Sequence, residues 1–235
     1  VGHNSSGKTS LADALLFKGK AVSRRGAVEE ETSIFDFEPE EKERKVSIDL
    51  ACASVNVQGR EINILDAPGY SDFCGEAICG LNAVETALLC INASSGIMVN
   101  TRKMWDQAKK AGVARAIAIN KMDSENVNYA KLVNSVREIF GKECVPVLLP
   151  VGEGPSFSGV VNLLEKSEGW PAELGELAAE AREKLMEIDD ALMMKYLDGQ
   201  PVSTEELAKA LPSALVQGKV VPILCTSAAK DIGVA

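Results

Sequence analysis

The stretch GHNSSGKT, residues 2 to 9, constrains this chain more than any other. It fits the pattern G-x-x-x-x-G-K-[ST], in which glycines let a backbone turn wrap a phosphate with its N–H groups at the positive end of the following helix. On that reading His3, Asn4, Ser5, Ser6 and Gly7 supply the wrap, together with Lys8, Thr9 and Ser10 at the helix start. Lys8 reaches the β- and γ-phosphates and the Thr9 hydroxyl binds Mg²⁺. The plain alternative is a Gly- and Ser-rich turn that happens to match. Such a turn normally follows a strand, and only Val1 stands before it, so the chain is expected to be a piece of a longer protein.

Strands and helices alternate along the rest. Helices are expected over 6–17, 71–86, 101–112 and 126–141, the last two ending on Gly112 and Gly141. Strands are expected over 46–57, 61–66, 87–93, 114–120, 144–151 and 220–225. Near-continuous apolar strands separated by helices imply a parallel sheet covered on both faces, with ligands at the carboxyl ends of its strands. Residues 18–45 carry many charges and no apolar period, and read as a mobile surface loop. Residues 1–150 and 218–235 are expected to form one domain, with 151–217 inserted in it. In the insertion, GEGPSFSGVVNLLEKSEGWP reads as turn-rich and residues 172–199 as one long amphipathic helix. Ser203 to Glu206 form a capping box that starts another helix.

Three further motifs end strands. DAPG (66–69) follows EINIL; Asp66 is placed to hold Mg²⁺, through water, and the Gly69 N–H to face the γ-phosphate, although a simple strand-ending turn has the same composition. NKMD (120–123) ends ARAIAIN. A carboxylate at Asp123 accepts from both the ring N–H and the amino group of guanine, a donor pair that adenine lacks on that edge. Asn120 then bonds the loop and the base, and Lys121 lays its stem along the ring. This disfavours an ATPase or kinase. In TSAAK (226–230), Ser227 braces the loop, and the N–H of Ala228 or of Ala229 meets the guanine O6. Alone, NKMD and TSAAK are ordinary turns; it is the order of all four motifs that gives them meaning.

Composition narrows the partners. The net charge of −9 disfavours generic nucleic-acid binding, DNA included. No apolar run approaches a membrane span and no signal peptide is seen, so a cytoplasmic protein is expected. The six cysteines form no C-x-x-C pair and read as small buried hydrophobes in a reducing compartment.

The set GHNSSGKT, DAPG, NKMD and TSAAK resembles the GTP-binding domain of translational GTPases. His3 and the run SFSGVVNLL (156–164) are similar to elongation factor G, and the Tyr in DAPGY to its divergent elongation-factor-G-like paralogues. The resemblance covers the whole chain and implies an α/β P-loop GTPase domain. Its sheet is mostly parallel and doubly wound, with a mainly helical insertion before the last strand. The family's insertion carries a small β portion for which EKSEGWP leaves little room. The ligands implied are GTP or GDP with Mg²⁺, and the partner the large ribosomal subunit; residues 173–217 are either a candidate docking face for a ribosomal stalk protein or simply helix covering the sheet's edge.

The resemblance makes 38–48 the first switch loop. Ser47 stands where the family has a Mg²⁺-binding Thr, and Lys45 where it usually has Gly; most charges of 36–45 are otherwise expected to be solvated. Tyr70 stands where the family usually has the His that orients the attacking water, and Ser5 where many members have Asp. With Lys8 and Gly69, Tyr70 is the candidate catalytic group. A phenol, with a pKa near ~10, is no base at neutral pH, yet it can orient a water. Two readings stay open: a ribosome-dependent GTPase, or a GTP-binding switch with little turnover.

Overall fold

The computed structural model describes residues 1–165 and 169–234. Helix α1 (Lys8–Lys18) starts from Gly7 in the left-handed region, φ +82°, and stops at Gly19. Strands β1 (Ala51–Val57) and β2 (Arg60–Asp66) pair antiparallel across the Gln58-Gly59 turn. Then come α3 (Cys74–Leu81), β3 (Thr86–Asn92), α4 (Val99–Ala111), β4 (Ala114–Asn120), α5 (Tyr129–Phe140) and β5 (Cys144–Pro146). Helix α2 (Pro39–Arg44) lies earlier, in the charged segment.

The main sheet has the order β3-β4-β8-β5, all parallel, where β8 is Val221–Cys225. Val1 and Gly2 lie beside β3, with the Cys90 N–H bonded to Val1 O at 2.8 Å. The strands are apolar on both faces because helices cover both. Ile91, Ile117, Ile119 and Ile223 are fully buried among them. On one side Trp105 of α4 stacks on Phe140 of α5 at 4.5 Å, with the Arg115 guanidinium 4.4 Å from the Trp105 ring. Every parallel strand so ends at the same edge, where β4 and β8 carry NKMD and TSAAK, while DAPG follows β2 of the separate antiparallel pair.

Several expectations are corrected. The strand expected over 46–57 starts only at Ala51. The apolar run 144–151 is two strands. After Pro146 the chain leaves β8, and β6 (Leu148–Val151) pairs antiparallel with β7 (Gly159–Asn162). Val147 joins the two ladders, donating to Ile223 O and accepting from the Leu163 N–H, both at 2.9 Å. A small β element therefore does stand in the stretch read as turn-rich; residues 166–168 of EKSEGWP lie outside the described residues.

The long helix is also two, α6 (Gly175–Met186) and α7 (Asp190–Leu197). Asp189 breaks it by capping α7, its carboxylate accepting from the Ala191 N–H at 2.9 Å and the Leu192 N–H at 3.3 Å. The capping box of α8 (Thr204–Val216) is present, with Ser203 and Glu206 bonded reciprocally. Only Cys90, Cys144 and Cys225 are buried; Cys52 and Cys79 are exposed and Cys74 is half-buried.

The charged segment 18–45 is more ordered than its composition suggests. Phe35 is 1% exposed, Asp36 3% and Glu41 0%. The Glu41 carboxylate takes four backbone N–H groups: Oε2 from Phe37 at 2.9 Å and Glu38 at 3.0 Å, Oε1 from Ile48 at 2.8 Å and Asp49 at 3.1 Å. One side chain thus staples the two ends of the loop 36–49.

Asp13 of α1 is buried against the same segment. A Cβ at Gly26 would fall 2.6 Å from its Oδ1, and its Oδ2 has no hydrogen-bond partner among the described residues. Burial pushes the Asp13 carboxyl from an ordinary 3.8 up to about 6, with Asp36 and Asp66 adding to the rise. A folded-state value raised this way favours the fold at low pH, and the benefit is lost as the pH climbs through about 6. The full rise is worth about 3 kcal/mol above that pH. Asp13→Asn is therefore expected to raise the melting temperature by about 5 °C at pH 7.5, with the gain shrinking as the pH falls below 6. Thermal melts at several pH values check this; a gain independent of pH would refute the assignment.

Candidate functional site

The phosphate turn sits at the carboxyl edge of the sheet, opposite DAPG. Gly2 has φ +147° and a Cβ there would strike Cys90 O. Ser5 has φ +58°, the left-handed strain expected where successive N–H groups are aimed inward. Ser6 Oγ and Lys8 Nζ both donate to His3 O, at 2.9 and 3.0 Å. Gly69 backs directly onto this turn: a Cβ on it would collide with Lys8 Nζ and lie 2.6 Å from Asn4 N. Around them is a cleft of about 170 Å³ lined by Asn4, Ser5, Gly7, Lys8, Thr9 and Ser10 on one side and Lys45, Ser47, Gly69, Tyr70 and Lys121 on the other.

At the foot of the cleft three predicted metal ligands meet. Thr9 Oγ1 donates to Asp66 Oδ2 at 2.6 Å and lies 3.1 Å from Ser47 Oγ. Ser47 Oγ in turn donates to Asp36 Oδ1 at 2.9 Å. Burial raises the carboxyl values of both Asp66 and Asp36, and the Asp66 charge adds to the rise at Asp36. Burial also lowers the Lys8 ammonium, against the pull of Asp66. His3 is lowered by burial and then by Lys8. Hard oxygen donors around an excess of buried negative charge fit Mg²⁺, with Thr9, Ser47 and Asp66 as the side chains that would hold it. No cluster of three or more His, Cys, Asp or Glu able to hold a metal occurs among the described residues.

Asn120, the last residue of β4, is 1% exposed and joins two loops. Its Nδ2 donates to Ser6 O and Gly7 O, each at 3.2 Å. Its Oδ1 accepts from the Ala228 N–H at 3.0 Å and Thr226 Oγ1 at 3.2 Å. A Cβ at Gly7 would fall 2.5 Å from Asn120 Nδ2, so only glycine lets the strut close. Asp123 Oδ1 accepts from Ser227 Oγ at 2.6 Å, and Ser227 Oγ accepts from the Lys230 N–H at 3.0 Å. Ala228 is buried and Ala229 exposed. The predicted phosphate, metal and base residues are therefore brought to one edge.

Tyr70 sits at the rim, 42% exposed, and its hydroxyl makes no hydrogen bond among the described residues. Lys45 is in the left-handed region, φ +54°, and pairs with Glu29 at 2.8 Å beside the same cleft.

Sequence reasoning missed three residues here. Asp36 lies just ahead of the switch segment and joins the ligand cluster. Thr226 braces Asn120. Asn100 bonds Gly69 O and Ser71 Oγ from the start of α4. Thr226 stood inside a motif already in view; the other two carry no local signature.

The family model of the elongation factor Tu GTP binding domain matches residues 1–235. The chain is 32% identical over 244 residues to an elongation factor G-like protein of Thermotoga maritima, covering 99% of this chain and 35% of that protein. It is 34% identical over 247 residues to an elongation factor G-like protein of Mycobacterium tuberculosis, covering 99% and 34%. A crystal structure of a protein from Thermus thermophilus matches with a TM-score of 0.88 and 34% identity, over 100% of this chain and 37% of that one. The chain spans about a third of the length of these curated relatives.

Proposed function

The chain belongs to the elongation factor Tu GTP-binding domain family, and on that premise we propose that it is the nucleotide-binding domain of an elongation factor G-like translation factor that binds GTP and GDP with Mg²⁺ and hydrolyses GTP when stimulated by the ribosome. The observation that carries the reading is the meeting of Asp66 and Ser47 on the Thr9 hydroxyl, at 2.6 and 3.1 Å, from positions 57 and 38 residues away. The relatives named elongation factor G-like support the translation role. The reading implies a cytoplasmic protein partnered by the large ribosomal subunit, with residues 173–217 as a candidate face for a stalk protein. No helix among the described residues is long and apolar enough to cross a membrane.

The roles follow from chemistry. The N–H groups of residues 3–10 and the Lys8 ammonium bind the β- and γ-phosphates. The Gly69 N–H faces the γ-phosphate, close against Asn4 and Lys8. Asp123 reads guanine while Ser227 holds its carboxylate, Lys121 lies along the ring, and an N–H of Ala228 or Ala229 meets O6. When bound, Mg²⁺ neutralises charge building on the phosphates. Phosphoryl transfer is mostly positioning, and Tyr70 is the group at the rim able to orient a water.

A second reading, a GTP-binding switch with little turnover, draws on the exposed Tyr70 hydroxyl and its lack of a partner among the described residues. Single-turnover GTP hydrolysis by the full-length protein with ribosomes separates the two. We expect Tyr70→Phe to slow it by about 10-fold or more while GTP affinity stays unchanged. Tight GTP binding without stimulation, restored by Tyr70→His, would establish the switch instead.

A further inference from the structure

Tyr70 is placed by its backbone, because its side chain is bonded to nothing among the described residues. Its φ and ψ are −81° and 147°, an extended conformation just before the single 3-10 turn Ser71–Phe73. What fixes that backbone comes from α4. Asn100, 7% exposed, donates from Nδ2 to Gly69 O at 2.9 Å. Its Oδ1 accepts from Ser71 Oγ at 3.1 Å. The amide orientation follows from the partners, since a carbonyl only accepts and the serine hydroxyl is then the donor. The two bonds fall on the residues either side of Tyr70. One turn further along α4, Lys103 donates to Cys74 Sγ at 3.2 Å. On its opposite side Gly69 is hemmed in by Asn4 and Lys8.

An Asn at the second position of a helix ordinarily satisfies local backbone groups. Here it reaches 31 residues back along the chain instead, and the cap is made by Thr101, whose Oγ1 accepts from the Met98 N–H at 3.3 Å. We propose that Asn100 is a positioning residue for GTP hydrolysis: its amide clasps Gly69 and Ser71 and thereby sets where the Tyr70 phenol stands over the phosphate cleft. The proposal rests on the reading of Tyr70 as the water-orienting group.

The test is a double-mutant cycle in the full-length protein. Asn100→Asp keeps the shape and the acceptor for Ser71 but loses the donor to Gly69 O. It is expected to slow ribosome-stimulated single-turnover hydrolysis about 10-fold, to leave GTP and GDP affinity within about twofold, and to add no further loss on a Tyr70→Phe background. Ser71→Ala, which removes the other arm at an exposed residue, gives the same pattern more weakly and serves if Asn100→Asp does not fold. Equal slowing by Asn100→Asp with Tyr and with Phe at position 70 overturns the positioning role while leaving the Tyr70 reading intact. Full activity of Tyr70→Phe itself overturns that reading, and the Asn100 role with it. A loss of nucleotide affinity parallel to the loss of rate marks Asn100 as a general structural anchor and also overturns it.

Discussion

Asp123→Asn is expected to weaken GTP and GDP binding by about 10³-fold and to shift the preference to xanthine nucleotides. Guanine presents two donors, the ring N–H and the amino group, to one carboxylate, and such bidentate charge-assisted pairs are the strong ones. An amide turns one acceptor into a donor that faces a donor, so the loss is that of an unpaired buried group rather than of one hydrogen bond. Xanthine carries an oxygen in place of the amino group, and the new amide N–H meets it. The loop itself survives the change. Ser227 Oγ still accepts from the Lys230 N–H at 3.0 Å, and Ser227 is paired through its own backbone with Ile232. Competition binding with GDP, XDP and ADP reads the result, beside a thermal melt that should not move. Unchanged GDP affinity would place the base elsewhere.

Glu41→Ala should open the loop 36–49 without unfolding the chain. The substitution strands the four N–H groups of Phe37, Glu38, Ile48 and Asp49. A donor left unpaired where water cannot reach it costs about 1–3 kcal/mol, and these four lie in a half-exposed loop that can open to water instead. Amide exchange across 36–49 is expected to rise by about 10²-fold or more, with new protease cleavage there and a melting point lower by only a few degrees. Because Ser47 leaves Thr9 with the loop, Mg²⁺ dependence of nucleotide binding weakens as well. Glu40→Ala is the control, since Glu40 is exposed one position away. Protected amides in Glu41→Ala would show that Ser47 and Asp36 hold the loop unaided.

These two residues mark what the sequence discloses and what it withholds. Asp123 stood out in the sequence because guanine asks for a carboxylate and the motif order gave it a place, and the fold joins it to Ser227 at 2.6 Å. The alternating apolar segments likewise pointed to the parallel sheet, since two-sided burial leaves a direct trace in composition. Glu41 was not legible. It stands in the run PEEKER, where any of three glutamates looks equally solvated. Its partners come from both ends of the loop, so only the folded path selects it. The run 144–151 misled for a similar reason: apolarity says that a segment is buried, not that it changes partners at Val147. Asp189 did leave a signal, an Asp-Asp pair inside a helical pattern, which its apolar flanks concealed. Asn100 left none, because a buried Asn bonding a distant turn has no period and no motif.

The Asn120 strut makes the two ends of the nucleotide interdependent. One side chain bonds the carbonyls of Ser6 and Gly7 and the N–H of Ala228, so the loop proposed to meet the base cannot stiffen without stiffening the turn proposed to meet the phosphates. Cooperativity then follows even between fragments. Where base and phosphates bind as proposed, guanosine would raise the affinity for pyrophosphate, and pyrophosphate that for guanosine by the same factor, as reciprocity requires. On that reading a wrong base would be felt at the phosphates, and the ligand would be recognised as a single object rather than as two halves.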